Sequence, residues 1–277
     1  MKLFFLDIDG TIAIPGTDPS PLLRQTIRQL QAQGEKVFLC TGRTYSFTPE
    51  SVKTLGCDGG IFSAGGRILA DGQELFRSFM PESIKDSIVA LLDTLGGYYV
   101  LECDSASYRG GTGLQELLEH PEPGSGMHSE LRRLLTVFHH YLPMDQYKGE
   151  PVYKIVFLLP SQQAADSIQS LHPAGTNVVF FQNRLAAAHI HLGEISDARI
   201  NKGVAMHRLC RFYGLPSEDC VAYGDSMNDA EILQAAGEGI AMGNAGENVK
   251  CLADRVCGNC EDDGLAIDLR RYLSGDL

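Results

Sequence analysis

The sequence predicts an α/β fold, a parallel sheet interrupted midway by an α+β insert, and three features point to it. Short apolar runs alternate with helix-patterned segments at both ends of the chain. Strand-like runs crowd together between those ends with fewer crossovers, and acidic residues and glycines follow directly on the apolar runs. Lys2 to Leu6 reads as a buried strand feeding an acidic loop that ends at Gly10. Pro21 to Gln33 carries Leu22, Leu23, Ile27 and Leu30 at helical spacing and is closed by Gly34. Lys36 to Cys40 is the next strand, stopping at Thr41-Gly42-Arg43. After a further helix candidate, Gly60 to Ser63 is another strand.

From about Pro81 the texture changes. A helix pattern (Glu82 to Leu95) precedes strand-like runs at Tyr98 to Cys103 and Ser105 to Arg109, then a Pro/Gly-rich stretch, Pro121 to Gly126, expected as a disordered loop. Val152 to Leu159, a helix pattern at Gln162 to Leu171, and runs at Val178 to Phe181 and Leu185 to Leu192 follow. Alternation then resumes with a helix at Lys202 to Tyr213 and a strand at Cys220 to Tyr223. The expected domains are therefore a discontinuous core, residues 1–80 and 193–277, and an inserted unit, 81–192. No internal repeat is evident.

At 277 residues and 44% hydrophobic content the chain can bury a substantial core. Its formal charge of −12 argues against a general affinity for nucleic acid or anionic membranes, which reward clustered Lys and Arg. No apolar run approaches the roughly 18 to 20 residues needed to span a bilayer, and Asp7-Ile8-Asp9 follows the first run where a leader peptide would have a cleavage pattern. A cytoplasmic setting is expected, and a homo-oligomer is left open. The eight cysteines are scattered, as reduced thiols would be. Only Cys257-Gly258-Asn259-Cys260 has a metal-like spacing, and it lacks the further ligands that a tetrahedral site needs.

The chemistry concentrates where strands end. Asp7 and Asp9 lie two apart on an extended segment, so both carboxylates can face one side, and Gly10 lets the backbone approach an anion closely. One aspartate can attack phosphorus while its neighbour protonates the leaving oxygen and later deprotonates the attacking water. The alternative is an acidic turn after a strand. Carboxylates facing a phosphate would repel it, so a hard cation belongs between them, and oxygen-only ligands at an open site favour Mg²⁺. Further carboxylate stands in Gly224-Asp225-Ser226-Met227-Asn228-Asp229, directly after a strand. Asp225 and Asp229 are candidates to complete the metal site, with Asn228 to donate to phosphate or orient a ligand. Helix capping is the alternative for the acidic residues. Thr41 and Gly42 offer a hydroxyl and backbone N–H groups to phosphate oxygens, and the adjacent Arg43 is a candidate substrate contact. Lys202, opening a helix pattern, either neutralises the nucleophile and the transferring phosphoryl group or is a solvated lysine.

In order, Asp7-Ile8-Asp9-Gly10-Thr11, Thr41-Gly42-Arg43, Lys202 and Gly224-Asp225-x-x-Asn228-Asp229 resemble the motifs of the haloacid-dehalogenase superfamily across the whole chain. Ala241-Met242-Gly243-Asn244-Ala245, then Ala253-Asp254 and Glu261 to Gly264, resemble the C-terminal signature of its Cof-like hydrolases. The resemblance implies a Rossmann-like core with a large α/β cap between the second and third motifs. It implies Asp7 as nucleophile and metal ligand, and Asp9 as acid/base and a ligand through its carbonyl. Thr41 and Lys202 would orient phosphate, Asp225 would bind the metal, and Asp229 would support it through water or hydrogen bonds. One departure stands out: relatives usually place Asn before Gly where this chain has Ser63-Ala64-Gly65-Gly66.

The cap would supply specificity contacts, with Tyr108, Arg109, Arg184, His189 and His191 as candidates; His189 and His191 share one face of their strand. The leading expectation is Mg²⁺-dependent hydrolysis of a small phosphorylated metabolite such as a sugar phosphate. A phosphomutase or phosphotransferase sharing the aspartyl-phosphate is the alternative within enzymes, and a non-catalytic phospholigand-binding protein the alternative outside them.

Overall fold

A computed structural model describes residues 1–111, 141–181 and 190–274 of the protein. The stretch Pro121–Gly126, Arg184, His189 and most of the run Leu185–Leu192 lie outside the described residues. Contacts divide the chain into two compact units, Met1–Arg77 with Ile200–Leu277, and Ser78–Arg199.

The first unit is built on strands β1 (Leu3–Leu6), β2 (Lys36–Cys40), β3 (Gly59–Phe62), β4 (Arg67–Ala70), β5 (Gln73–Arg77), β12 (Cys220–Gly224), β13 (Glu238–Ala241) and β14 (Arg255–Val256). They form one sheet in the order β14-β13-β12-β1-β2-β3-β4-β5. Pairing is parallel from β14 through β3 and antiparallel from β3 to β5. Helices cover both faces, which is why the central strands read as continuous apolar runs. Phe4, Leu6, Val37, Leu39, Val221 and Tyr223 share one core cluster with residues of the helices Pro21–Ala32 and Gly264–Leu269. Their neighbours Leu3, Phe5, Phe38, Cys40, Cys220 and Ala222 pack with Met206 and Leu209 of the helix Lys202–Tyr213. The period-two alternation thus serves both layers at once.

The helix Pro21–Ala32 starts where the sequence predicts. Ser20 accepts the Leu23 N–H at 3.1 Å, Pro21 occupies the first turn, and Leu23, Ile27 and Leu30 are buried. Each such side chain contributes on the order of 1.5–3 kcal/mol by leaving water. The hairpin β4–β5 was not anticipated. Its turn is Asp71-Gly72, both with positive φ (47° and 74°), the Asp-Gly pair that a tight hairpin favours.

The second unit holds β6 (Tyr98–Cys103), β7 (Ser107–Gly110), β8 (Leu142–Pro143), β9 (Val152–Leu159), β10 (Thr176–Phe180) and β11 (His191–Asp197), ordered β10-β11-β9-β6-β7-β8. All pairs are antiparallel except β7 with β8. The helices Glu82–Thr94 and Gln162–Leu171 pack through Ile88, Leu92, Ala165 and Ile168 against Leu101, Ile155, Phe157 and Ile195. The observed unit extends past the expected limits of 81 and 192 at both ends. A limit at 192 would cut β11, whose ladder with β10 continues to the pair Thr176–Asp197. Among the described residues no helix is long and apolar enough to cross a membrane.

Candidate active site

Strands β12, β1 and β2 are neighbours and parallel, so the residues that follow them emerge together at the carboxyl edge of the sheet. The chain runs to β2 on one side of β1 and to β12 and β13 on the other, which makes this edge a switch point of the topology, where open α/β sheets bind ligands. Asp7 follows β1, Thr41 follows β2 and Asp225 follows β12.

Asp7, Asp225 and Asp229 each bring a carboxylate oxygen within 4.8 Å of the other two. Lys202 meets the cluster from the start of its helix, whose first turn is capped by Asn201 accepting the Val204 N–H at 2.8 Å. The Lys202 ammonium donates to Asp7 Oδ1 at 2.7 Å, to Asn228 Oδ1 at 3.3 Å and to Asp229 Oδ1. Its side chain is 0% exposed, so the solvated-lysine alternative is wrong. Asp229 Oδ2 accepts the N–H groups of Asp225 (3.1 Å) and Ser226 (3.2 Å), which engages both of its oxygens within the protein. Gly224 makes room for this, because a Cβ there would lie 2.5 Å from the Asp229 side chain. Gly10 (φ 82°) likewise lets its loop touch Asp225, where a Cβ would fall 2.2 Å from Oδ2.

Electrostatically the cluster is unbalanced, with three carboxylates around one ammonium. Burial, then repulsion from Asp229 and Asp225, holds the Asp7 carboxyl well above its usual range despite Lys202. Burial and Asp229 push Asp225 up to about 7. Burial opposes the Lys202 charge, but Asp229 and Asp7 outweigh it and keep the ammonium protonated. An all-oxygen donor set with uncompensated negative charge fits a hard divalent cation of the Mg²⁺ type.

Asp9 stands apart from that cluster. Its two oxygens accept from Arg43 Nε and a terminal guanidinium nitrogen, both at 2.7 Å, in a bidentate pair. Thr41 is buried, and its hydroxyl oxygen accepts the Arg43 N–H at 3.1 Å across Gly42. The following strand end leans on the same loop: Ser63 N–H donates to Arg43 O and Ala64 N–H to Thr41 O. Ala64 sits at φ 54°, a left-handed conformation that Asn tolerates better than Ala. In the other unit, Tyr108 lies in the helix-covered core with its hydroxyl donating to Glu150 at 2.7 Å, so it is spent internally. Arg109, next along β7, points to the opposite face of the sheet. His191 lies in β11, its ring 6.3 Å from that of Phe180.

Two residues stand within motifs of the sequence but carry no assigned role there. Ser226 forms a capping box with Asp229, and its hydroxyl donates to Asn228 Oδ1 at 2.8 Å. Asn244 donates to Gly10 O at 2.9 Å. The signal for Asn244 was positional: Gly243-Asn244 follows β13, the parallel neighbour of β12, as Asp225 follows β12 itself.

A family model for haloacid dehalogenase-like hydrolases matches residues 4–269, and the chain belongs to that family. Among curated relatives it is 28% identical to phosphatase YwpJ of Bacillus subtilis, with 99% of this chain and 100% of the relative aligned. It is 26% identical to the 5-amino-6-(5-phospho-D-ribitylamino)uracil phosphatase YitU of the same organism, over 98% and 97%. A haloacid dehalogenase-like hydrolase from B. subtilis superposes with a TM-score of 0.77 at 26% identity, covering 98% of this chain and 99% of the other. The HAD phosphatase BT1666 of Bacteroides thetaiotaomicron shares the fold at a TM-score of 0.79 and 20% identity, over 98% and 95%.

Proposed function

We propose that the chain is a Mg²⁺-dependent phosphatase that hydrolyses a small phosphorylated metabolite through an aspartyl-phosphate on Asp7. The observation that carries this reading is the Asp7 carboxylate held on one oxygen by the buried Lys202, at a sheet edge shared with Asp225 and Asp229. Relatives named as phosphatases of small phosphorylated compounds support the substrate class, among them an HMP-PP phosphatase of Serratia proteamaculans, 27% identical over 98% of this chain and 95% of its own length.

Lys202 leaves the other Asp7 oxygen to attack phosphorus, forming the P–O(Asp7) bond as the ester P–O bond breaks. The departing oxygen takes a proton from Asp9. Asp9 then receives one from water, whose oxygen attacks phosphorus, breaks the P–O(Asp7) bond and releases orthophosphate. Arg43 is paired with both Asp9 oxygens and so orients this carboxylate for the acid/base step. Thr41 and the Gly42 backbone orient phosphoryl oxygens, together with Lys202 and Asn228, whereas the Gly10 N–H expected to join them is spent on Ala13 O at 2.9 Å. Asp7 and Asp225 would hold Mg²⁺ by carboxylate and Asp9 by its carbonyl, while Asp229 acts through its hydrogen bonds to Lys202 and the Asp225 N–H. Bound Mg²⁺ supplies the positive charge that lets these carboxylates stay ionised beside a phosphate. The unit Ser78–Arg199 is assigned the substrate-specificity role of a cap, and the setting is assigned as cytoplasmic.

The test is phosphate release from sugar phosphates, nucleotides, pyridoxal phosphate and a chromogenic monoester, with and without Mg²⁺. Turnover should require Mg²⁺, and Asp9→Asn should lower it about 10²- to 10⁴-fold with circular dichroism unchanged. Equal turnover in that variant, or without metal, would sink the mechanism. Transfer to a sugar hydroxyl without free phosphate would identify a phosphotransferase instead.

A further inference from the structure

We infer that Asn244 is a positioning residue for the metal-binding edge, and that the loop Cys257–Gly264 serves to hold it there. The inference rests on the proposed Mg²⁺ site. Asn244 lies three residues beyond β13, and its side chain is exposed, so packing does not account for its placement. Both ends of its amide are nevertheless committed inward. Nδ2 donates to the Gly10 carbonyl at 2.9 Å and lies 3.5 Å from Asp225 Oδ2. Oδ1 accepts the Cys260 N–H at 2.8 Å. A backbone N–H can only donate, so the Asn244 oxygen must face Cys260 and the NH₂ must face Gly10 and Asp225. The amide orientation is therefore dictated by the C-terminal loop.

The two groups it bridges belong to opposite sides of the site. Gly10 closes the Asp7–Asp9 loop, Asp225 follows β12, and the Gly10 backbone touches the Asp225 carboxylate so closely that a Cβ would fall 2.2 Å from Oδ2. A donor placed on both fixes which way that carboxylate turns and how near the loop comes to it. A metal ion selects for these variables, because its ligands must arrive at set distances.

The loop behind Asn244 is braced by backbone contacts. Cys257 N–H donates to Ala241 O at 2.9 Å, Gly243 N–H to Gly258 O at 3.0 Å, and Gly264 N–H to Asn259 O at 2.9 Å. Gly258 and Gly264 meet so tightly that a Cβ on Gly264 would lie 2.2 Å from the Gly258 carbonyl carbon. The Cys257-x-x-Cys260 spacing thus has a backbone use: Cys260 contributes its N–H, while the Cys257 sulfur leans on Met242 Sδ at 3.4 Å.

The experiment is titration of metal-free protein with MgCl₂ by calorimetry, comparing wild type with Asn244→Ala, alongside thermal melts without metal and kinetics on a chromogenic monoester. The variant's Kd for Mg²⁺ should rise about tenfold or more, as expected when a group orienting a metal ligand is removed. Its metal-free Tm should stay within about 3 °C of wild type, as for an exposed side chain. KM for the ester should be unchanged, and kcat should recover at saturating Mg²⁺. An unchanged Mg²⁺ affinity overturns the inference, and so does a metal-free Tm lowered well beyond that range, which would make Asn244 merely structural. Failure of the underlying reading looks different, because the wild type itself would then show no Mg²⁺ binding.

Discussion

Two of the buried lysines, Lys154 of the second unit and Lys202 of the first, show how differently the same composition is used. Lys154 lies in the middle of an antiparallel sheet on β9, directly opposite Glu102 on β6, with Glu194 of β11 as its close partner. Lys202 lies at the edge of a parallel sheet, against Asp7 and Asp229. Each ammonium serves two carboxylates. Around Lys154 both carboxylates come from the strands that flank β9, two for one ammonium, and Glu102 stands off at 3.8 Å. Around Lys202 a third carboxylate, Asp225, joins the group with no ammonium of its own, and Asp7 keeps an oxygen that Lys202 does not occupy. A buried ion cluster inside a sheet serves the fold, whereas one of three carboxylates at the ends of parallel strands fits the cation and the phosphate of the proposed reaction.

Replacing both lysines breaks the comparison most sharply. Lys202→Met should lower kcat about 10³-fold, since it removes a fixed positive charge from the proposed nucleophile Asp7, and cost about 3–5 kcal/mol of stability. Lys154→Met should cost a similar 3–5 kcal/mol, because Glu194 is left buried without its cation. In that variant, turnover of a small chromogenic ester should change by less than about threefold, since the carboxylates that Lys154 serves belong to the strands of its own sheet. Denaturant melts with steady-state kinetics on the pair would read both effects, and equal losses of activity would erase the distinction.

A smaller effect is expected at Asp268, where the first unit also spends charge on structure. Arg255 donates to both of its oxygens at 2.7 Å and the Tyr223 hydroxyl donates at 2.8 Å, tying the helix Gly264–Leu269 to β14 and β12. Burial opposes ionisation of Asp268, but these bonds outweigh it and hold the carboxyl below its usual range. A carboxylate whose folded pKa is depressed stabilises the protein above its unfolded pKa near 4, and that contribution is lost as pH falls through the lower folded value. Asp268→Asn should therefore cost about 1.5–3 kcal/mol at pH 7 and flatten the acid limb below pH 4 in melts followed by circular dichroism. The smallest effect is at Ala64. Ala64→Gly should gain about 1 kcal/mol by relieving the left-handed backbone, measured as a higher denaturation midpoint; a loss would mean that its methyl group packs.

Much of this was legible in the sequence because the informative signals are local. Asp7, Thr41 and Asp225 were found from apolar runs ending at polar residues, since a parallel strand delivers its next residue to the ligand-binding edge. Other residues resisted. Lys202 read as a solvated lysine when judged alone, because its partner Asp7 is 195 residues away. Asn244 reaches Gly10 across 234 residues. Tyr108 was correctly expected beside a cap strand, but the face it occupies depends on the register of β7 against β6, and that register turned it toward Glu150. The hairpin β4–β5 is a different lesson, since its Asp71-Gly72 signal was present and went unread.

By itself the sequence determined the α/β core, the insertion within it and the strand ends that carry acidic residues, because side-chain period, capping and turn chemistry are written within a few neighbouring residues. Only the tertiary structure decided that Lys202 is buried against Asp7, that Arg43 holds Asp9, and that Asn244 joins the Gly10 loop to Asp225. Those pairings depend on which strands lie side by side and in what register, which no local stretch of chain encodes.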